Sequence, residues 1–175
     1  STKAMTLNVD DVDNRGGEIS TNSDLQVIGK KLDNSDAGKI FTGQSLTLTV
    51  EQLINRNKGL ISASTSLDLH GDSLDNSGGE LLSQQAMALT LGGAFDNSQG
   101  KVSSESVLTV KTSQLTNIKG SLSSAADLTI ESRGSVDNQG GAVVTDGALV
   151  LDSTRLDNRQ AGTLSAKGAA SVTTG

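Results

Sequence analysis

Apolar residues recur along the chain with a period of 20 or 21 residues, in fixed register with an asparagine and a following glycine. The asparagines are Asn14, Asn34, Asn55, Asn76, Asn97, Asn117, Asn138 and Asn158. Three or four residues after each stands a glycine: Gly17, Gly38, Gly59, Gly79, Gly100, Gly120, Gly141 and Gly162. We place the one-residue variation in repeat length within this Asn–Gly turn. Self-similarity at a fixed period is the mark of a repeat architecture, so the repeat governs the fold.

Four positions of every repeat carry apolar side chains: two residues before the asparagine, and two, eight and ten residues after the glycine. The column eight residues after the glycine is Leu25, Leu46, Leu67, Met87, Leu108, Leu128, Leu149 and Ala170. The paired spacings of two are typical of strands, in which alternate side chains face one side. Four residues after the glycine the side chain is always small. Each repeat therefore predicts two or three short strands and no helix.

One repeat alone cannot bury its apolar side, but stacked repeats can. The sequence predicts an all-β fold, a right-handed parallel β-helix of about eight coils; the handedness is the one expected for parallel crossover connections. At about 4.8 Å per coil, eight coils make a rod about 40 Å long. Met5 and Leu7 fit the apolar columns of a preceding partial coil. We expect residues 1–175 to be a single β-helical segment excised from a longer filament.

The repeat asparagine and the repeat glycine are each expected to have a specific structural role. Each asparagine is expected at a bend, with its amide bonded to local backbone and to the asparagines above and below. The following glycine is expected to adopt a positive φ that returns the chain to the next strand. The small side chain four residues later is expected to reflect a narrow interior. The same narrowness would explain why Phe41 and Phe95 are the only aromatic residues.

Composition excludes several kinds of site and partner. There is no cysteine, which removes disulfides, Cys-ligated zinc and a thiol nucleophile. A net charge of −6 argues against nucleic acid or an anionic membrane as partner. No stretch approaches 18 consecutive apolar residues, so membrane insertion is not expected.

Segment 74–81, Leu-Asp-Asn-Ser-Gly-Gly-Glu-Leu, followed by Met-Ala-Leu at 87–89, resembles the haemagglutinin repeat of filamentous haemagglutinins and contact-dependent growth-inhibition effectors. The resemblance runs from about Met5 to Val172. It implies a right-handed parallel β-helix exported by two-partner secretion through an outer-membrane transporter. It further implies a stalk of a large Gram-negative cell-surface protein that projects an adhesin tip or delivers a toxin. Ile54 and Thr116 depart from the aspartate usual before the asparagine.

Candidate chemistry is sparse. Six aspartates precede repeat asparagines and invite a calcium ladder: Asp13, Asp33, Asp75, Asp96, Asp137 and Asp157. The turns lack the Gly-Gly-x-Gly-x-Asp character of calcium-loaded solenoids, which favours solvated turn carboxylates over calcium ligands. His70 and Phe41 each follow an inward residue, so both are expected to face outward. No triad, paired carboxylates or aromatic sugar platform indicates a hydrolase or lyase. We therefore expect no catalytic, cofactor-binding or metal-binding residue and no enzymatic activity.

Two rival interpretations are considered. Leucine-rich repeats share the period, but their L-x-L pair lies just before the asparagine, whereas Leu25 and Val27 precede Asn34 by seven residues or more. For function, the alternative to a structural stalk is an adhesin face that binds a cell-surface receptor or glycan directly. Two outward pairs, Glu18–Lys39 and Glu80–Lys101, are predicted to be neighbours in adjacent coils.

Overall fold

Most repeats form three short strands separated by corners, and successive repeats stack as coils. The computed structural model describes residues 3–175, which contain strands and turns and no helix. No helix that could cross a membrane is therefore found in this range. We number the coils from 1 to 8, each beginning at its repeat asparagine, so that coil 1 begins at Asn14 and coil 8 at Asn158.

The strands in chain order are β1 (Met5–Asn8), β2 (Asp11–Asp13), β3 (Glu18–Thr21), β4 (Leu25–Asp33), β5 (Lys39–Thr42), β6 (Leu46–Ile54), β7 (Leu60–Ala63), β8 (Leu67–Gly71), β9 (Ser73–Asp75), β10 (Glu80–Ser83), β11 (Met87–Leu91), β12 (Ala94–Asp96), β13 (Lys101–Ser104), β14 (Leu108–Thr112), β15 (Gln114–Thr116), β16 (Ser121–Ser124), β17 (Leu128–Ser132), β18 (Ser135–Asp137), β19 (Ala142–Thr145), β20 (Leu149–Ser153), β21 (Arg155–Asp157), β22 (Thr163–Ala166) and β23 (Ala170–Thr174). The first strands of the coils form an eight-stranded sheet, which we call the first face: β3, β5, β7, β10, β13, β16, β19 and β22. The remaining strands form one 15-stranded sheet. That sheet is continuous because β4 and β6 each run through the corner between the second and third strand positions.

All strand pairs are parallel, and each residue pairs with its equivalent in the next coil. Leu25 pairs with Leu46, and Leu46 pairs with Leu67. All three side chains are at most 1% exposed. These observations confirm the predicted stacking and an all-β, parallel β-solenoid of about eight coils.

The predicted apolar columns form one continuous core along the rod axis. Phe95 is fully buried within it, so the interior accommodates one aromatic ring. Two residues of these columns, Ala170 and Val172, keep register with Leu149 and Leu151 but are exposed, Val172 by 45%. Both lie on β23, whose only strand partner is β20, so no second coil covers them.

The placement of the length variation was only partly right. The Asn–Gly turn does vary, but in coils 4 and 6 the next asparagine also lies 18 positions after the glycine, where in the other coils it lies 17 positions after it. The structure places these extra residues at the corner between the second and third strands. That corner is the pair Gly92–Gly93 in coil 4 and Arg133–Gly134 in coil 6, where coils 3, 5 and 7 have a single residue. The solenoid therefore absorbs insertions at two corners while the strands keep register.

Candidate functional site

The most highly organised polar feature of the molecule is the corner that carries the repeat asparagines. The six asparagines of coils 2 to 7 have no exposed surface, and Asn14 is 7% exposed. A buried amide needs hydrogen-bond partners, because an unsatisfied donor or acceptor costs about 1–3 kcal/mol. Every internal asparagine meets this requirement in the same way.

The amides bond to one another along the rod. Asn14 Nδ2 donates to Asn34 Oδ1 at 2.7 Å, and Asn34 Nδ2 donates to Asn55 Oδ1 at 2.8 Å. The series continues at 2.7–2.8 Å through Asn76, Asn97, Asn117, Asn138 and Asn158. All seven bonds run in the same direction, so each amide oxygen accepts from the preceding coil and each amide nitrogen donates to the following one.

The same nitrogen also binds the backbone on both sides of the corner. Asn55 Nδ2 donates to the carbonyl of Gly59 in its own coil at 3.1 Å and to that of Glu80 in the next coil at 3.0 Å. The two amide protons thus meet three acceptors, one of them on the neighbouring asparagine. Each internal asparagine fastens its own turn and ties two coils together.

The structure contradicts the expected role of the repeat glycines. None of the eight has a positive φ; the positive φ lies one or two residues earlier. In three-residue turns it falls on one residue, such as Gly78 (65°) or Lys119 (54°). In four-residue turns two consecutive residues adopt it, as at Asp36 (55°) and Ala37 (65°). The prediction placed the left-handed conformation on the wrong residue.

The repeat glycine is required by close backbone approach instead. A Cβ added to Gly59 would lie 2.5 Å from the Asn34 carbonyl oxygen and 2.6 Å from Asn55 Oδ1. Real Cβ atoms essentially never come within 3.0 Å of a heavy atom outside their own and the two adjoining residues. The other repeat glycines have the same kind of close neighbours. Any side chain here would push the coil away from the asparagine ladder.

The aspartates before the asparagines act on the turn itself. Asp33 Oδ1 accepts from the backbone N–H of Ser35 at 3.2 Å and from its hydroxyl at 2.6 Å. Asp75 and Ser77 repeat the arrangement. A carboxylate that accepts from the N–H two residues on is an Asx turn. The sequence signal, Asp-Asn followed by a donor residue, was present but was interpreted only as a solvated carboxylate.

At two turns the donor residue is an arginine. Arg15 forms a two-pronged contact with Asp13, through Nε to Oδ1 at 2.9 Å and through Nη2 to Oδ2 at 2.7 Å. The side-chain hydrogen bond from Arg15, with that from its backbone N–H, lowers the pKa of Asp13 from its ordinary 3.8 to about 2. Arg159 similarly lowers the pKa of Asp157 through its side-chain hydrogen bonds.

A second polar column lines the corner after the first face, at the small residues four positions past the glycine. Ser104 Oγ donates to the carbonyl of Gln85 in the preceding coil at 2.7 Å and is 2% exposed. Ser124 Oγ reaches the Ser106 carbonyl at 2.6 Å. The residue at this position must therefore be small. In most coils it also carries a hydroxyl that forms a hydrogen bond with the corner backbone.

Charged side chains gather at a shallow groove along the corner after the second strands. It is lined by His70, Asp72, Lys111, Glu131 and Arg133. His70 is exposed, as the alternation predicts. Lys111 pairs with Glu131 at 3.0 Å, and Arg133 Nη2 donates to the Gly92 carbonyl at 2.5 Å. Within residues 3–175 no group of three or more His, Asp or Glu side chains is arranged to hold a metal ion.

The outward positions of the first face follow the predicted register. Glu18 pairs with Lys39, and Glu80 pairs with Lys101, as Cα partners on adjacent strands. Phe41 lies on the outward side of β5 and is partly buried there rather than fully exposed.

The repeat register, the asparagine ladder and the parallel solenoid can now be set against known proteins. The sequence profile of the haemagglutinin repeat matches residues 1–99, 89–140 and 133–175, which together span the whole chain. The chain belongs to the haemagglutinin repeat family. Comparison with curated proteins and with solved structures finds no match among either.

Membership of the haemagglutinin repeat family sets a general expectation for the molecule. Proteins with these repeats are typically structural or adhesive and are typically secreted to the cell surface, and the family is associated with two-partner secretion. The β-solenoid described here fits a structural segment of the filamentous haemagglutinin kind.

Proposed function

We propose that this chain is a stalk segment of a large extracellular filament on a Gram-negative cell, where it projects an adhesin tip or delivers a toxin in contact-dependent growth inhibition. The observation that carries the proposal is the unbroken register of eight stacked coils across a chain matched by the haemagglutinin repeat. The function is mechanical: each coil adds about 4.8 Å, so the segment extends the filament by about 40 Å.

The joints between coils suit such a role. Along most of the rod, every joint combines backbone hydrogen bonds from three strand pairs with one asparagine bond, such as Asn76 to Asn97 at 2.8 Å. Because these bonds point along the rod, a pull on its end is shared among all of them.

The proposal assigns no catalysis to the segment. In the corner groove, Lys111 pairs with Glu131, and Arg133 donates to the Gly92 carbonyl. The aspartates beside the asparagines are engaged in their own turns, as Asp33 is with Ser35. These arrangements favour structural roles for the polar residues, and we propose structural roles for the eight asparagines and eight glycines as well.

A tandem fusion tests the stalk proposal. Residues 11–175 joined after Gly175 continue the register, because Asp11 holds the position that Lys31 holds in coil 1. Small-angle scattering should show a rod longer by about 40 Å, and the same fusion displayed on cells should raise a terminal epitope by the same amount. A matched fusion that starts at Thr21 breaks the register by half a coil and should not extend the rod evenly. An in-register fusion that fails to lengthen would refute the proposal.

Export is the second part of the proposal, with an outer-membrane two-partner secretion transporter as partner. Coils that stack outside the membrane would bias the chain outward. Replacing Asn76 and Asn97 together by alanine should therefore slow secretion of the parent protein, whereas Asn22→Ala, at an exposed corner, should not. Equal secretion rates for the two variants would remove coil stacking from the export mechanism.

A direct adhesin role and a stalk role predict different binding by the purified segment. A segment that only extends the filament should bind neither host nor bacterial cells nor a glycan array when purified. Saturable binding of the isolated chain, abolished by substitutions on one face, would replace the stalk proposal with a receptor or glycan function through that face.

A further inference from the structure

The outward side of the first face carries an ordered charge pattern in coils 1 to 5. The residue after the repeat glycine gives a column of Glu18, Lys39, Leu60, Glu80 and Lys101. Two residues further on, the second column is Ser20, Phe41, Ser62, Leu82 and Ser103. Both columns are in strict register, since every member is the Cα partner of the next.

The four charges of the first column are exposed, and none of them forms an ion pair within residues 3–175. Glu18 and Lys39 are strand neighbours, as are Glu80 and Lys101, yet neither pair is among the ion pairs within 4.0 Å formed by residues 3–175. Their charged groups remain available to a partner.

The pattern changes sign about its centre. Coil 3 holds Leu60; the coils on either side of it hold Lys39 and Glu80, and the outer two hold Glu18 and Lys101. The second column has a matching apolar symmetry, with Phe41 and Leu82 at equal distances from coil 3. A surface that maps onto its own complement under a two-fold rotation is the requirement for an isologous contact.

We propose that the first face of coils 1 to 5 docks a second copy of this chain, with the two rods antiparallel. The two-fold axis runs along the strands at coil 3. Lys39 of each copy then faces Glu80 of the other, and Glu18 faces Lys101. Phe41 faces Leu82 across the same axis. This association goes beyond the stalk function and does not depend on the export route.

The other packing of the same face lacks this complementarity. If the rods were parallel, the charged first column would face the second column, which has no charge. The next corner lacks the sign symmetry, since Asp24 of coil 1 occupies the position that Val107 holds in coil 5.

The size of the patch sets the strength of the contact. Five coils cover about 20 Å along the rod, and a four-residue strand covers about 13 Å across it. This area is well below the ~800 Å² per partner of a standard stable interface. We therefore expect a weak dimer, with a Kd on the order of 10⁻⁴ M, that weakens as salt screens the four charge pairs.

Charge exchange tests the proposal by sedimentation equilibrium from about 10 μM to about 2 mM, a range that brackets the expected Kd. Lys39→Glu and Glu80→Lys each place like charges opposite one another and should weaken self-association at least tenfold. An equimolar mixture of the two variants should restore it, because the new carboxylate at position 39 lies opposite the new ammonium at position 80. Lys119→Glu makes the same change in net charge as Lys39→Glu, at an exposed turn, and should leave the dimer unchanged.

Orientation is tested separately, without altering the patch. A paramagnetic label on Ser121→Cys in coil 6 should broaden the amide resonances of coil 1, near Glu18, in an isotopically labelled second copy. Broadening of coil 6 instead would show parallel rods and overturn the proposal. A chain that stays monomeric at about 2 mM, or a mixture that fails to restore association, would overturn it too.

Discussion

At the scale of single residues, the asparagine corner combines burial with complete hydrogen bonding. Asn97 has no exposed surface; its amide oxygen accepts from Asn76, and its nitrogen donates to Asn117 and to the Gly100 and Ser121 carbonyls. Losing this side chain removes hydrogen bonds to three coils and leaves the buried Asn117 Oδ1 without its Asn97 donor, and that penalty exceeds the net gain of an ordinary hydrogen bond.

Asn97→Ala is therefore expected to lower the free energy of unfolding by about 1–3 kcal/mol. Urea denaturation followed by circular dichroism measures the change. Asn22→Ala is the matched control: Asn22 is exposed at a corner and should change stability by less than about 0.5 kcal/mol. Equal losses at positions 97 and 22 would show that the ladder contributes no specific stability.

The Asp13–Arg15 contact makes a prediction about pH. The guanidinium lowers the pKa of Asp13 in the folded chain to about 2, below its unfolded value, so the contact stabilises the fold above about pH 4. This contribution is lost as the pH falls from about 4 towards 2, because the unfolded chain then takes up the proton first. Carboxyl ¹³C chemical shifts should show Asp13 titrating near pH 2, and Arg15→Gln should move its midpoint up towards the ordinary value. A midpoint near 3.8 in the unsubstituted chain would contradict the contact.

At the scale of the elements, two adjacent residues of a turn meet different requirements: one adopts a positive φ, and the next must lack a side chain because the backbone approaches closely. Gly78 supplies the positive φ, and a Cβ there would have no heavy atom closer than 3.9 Å. Gly79 has an ordinary φ, but a Cβ there would overlap the Asn55 carbonyl oxygen. The first glycine can be replaced at the cost of local strain, as Gln99 and Lys119 show at equivalent positions.

Gly79→Ala is accordingly expected to destabilise the fold by about 3 kcal/mol, because the coil must move off the ladder. Gly78→Ala should cost only about 1–2 kcal/mol, the price of a left-handed backbone for a residue with a Cβ. Thermal unfolding of the two variants compares them directly. A larger loss at position 78 than at position 79 would contradict the close-approach explanation.

How far the sequence predicts these elements depends on what repetition can reveal. The column of Leu25, Leu46 and Leu67 repeats in step, so burial, strand spacing and stacking follow from it. Repetition also marks the glycines, but it cannot distinguish a positive φ from a close carbonyl, because both exclude a side chain. The carbonyl comes from the neighbouring coil and is defined only once the coils are stacked.

Other features were missed because they repeat imperfectly. Val50 and Leu91 are buried at the corner after the second strands, but Thr112, Ser132 and Ser153 occupy the equivalent position, so no apolar column is visible there. The extra residues of coils 4 and 6 lie at that same corner, where the bend tolerates them. Corners are thus the least predictable part of a solenoid whose strands are highly regular.

At the scale of the whole molecule, each coil contacts mainly its two neighbours, so stability is approximately the sum of coil terms and joint terms. The first face shows that surface information can be superimposed on such a repeat. Glu18, Lys39, Glu80 and Lys101 alternate in sign from coil to coil, while the residues that follow them all stay apolar, namely Ile19, Ile40, Leu81 and Val102. The buried residues specify the solenoid fold, and the outward residues can vary to specify which partner its surface binds.

The central claim is that repeat equivalents are axial neighbours, and a series of interspin distances tests it most directly. The chain has no cysteine, so label pairs can be introduced between Gln26 and each of Thr109, Thr129, Val150 and Ser171, which all lie in one paired column. Pulsed electron paramagnetic resonance should give distances that begin near 19 Å and rise by about 4.8 Å with each further coil. Distances that fail to increase steadily with coil number would contradict the stacked solenoid.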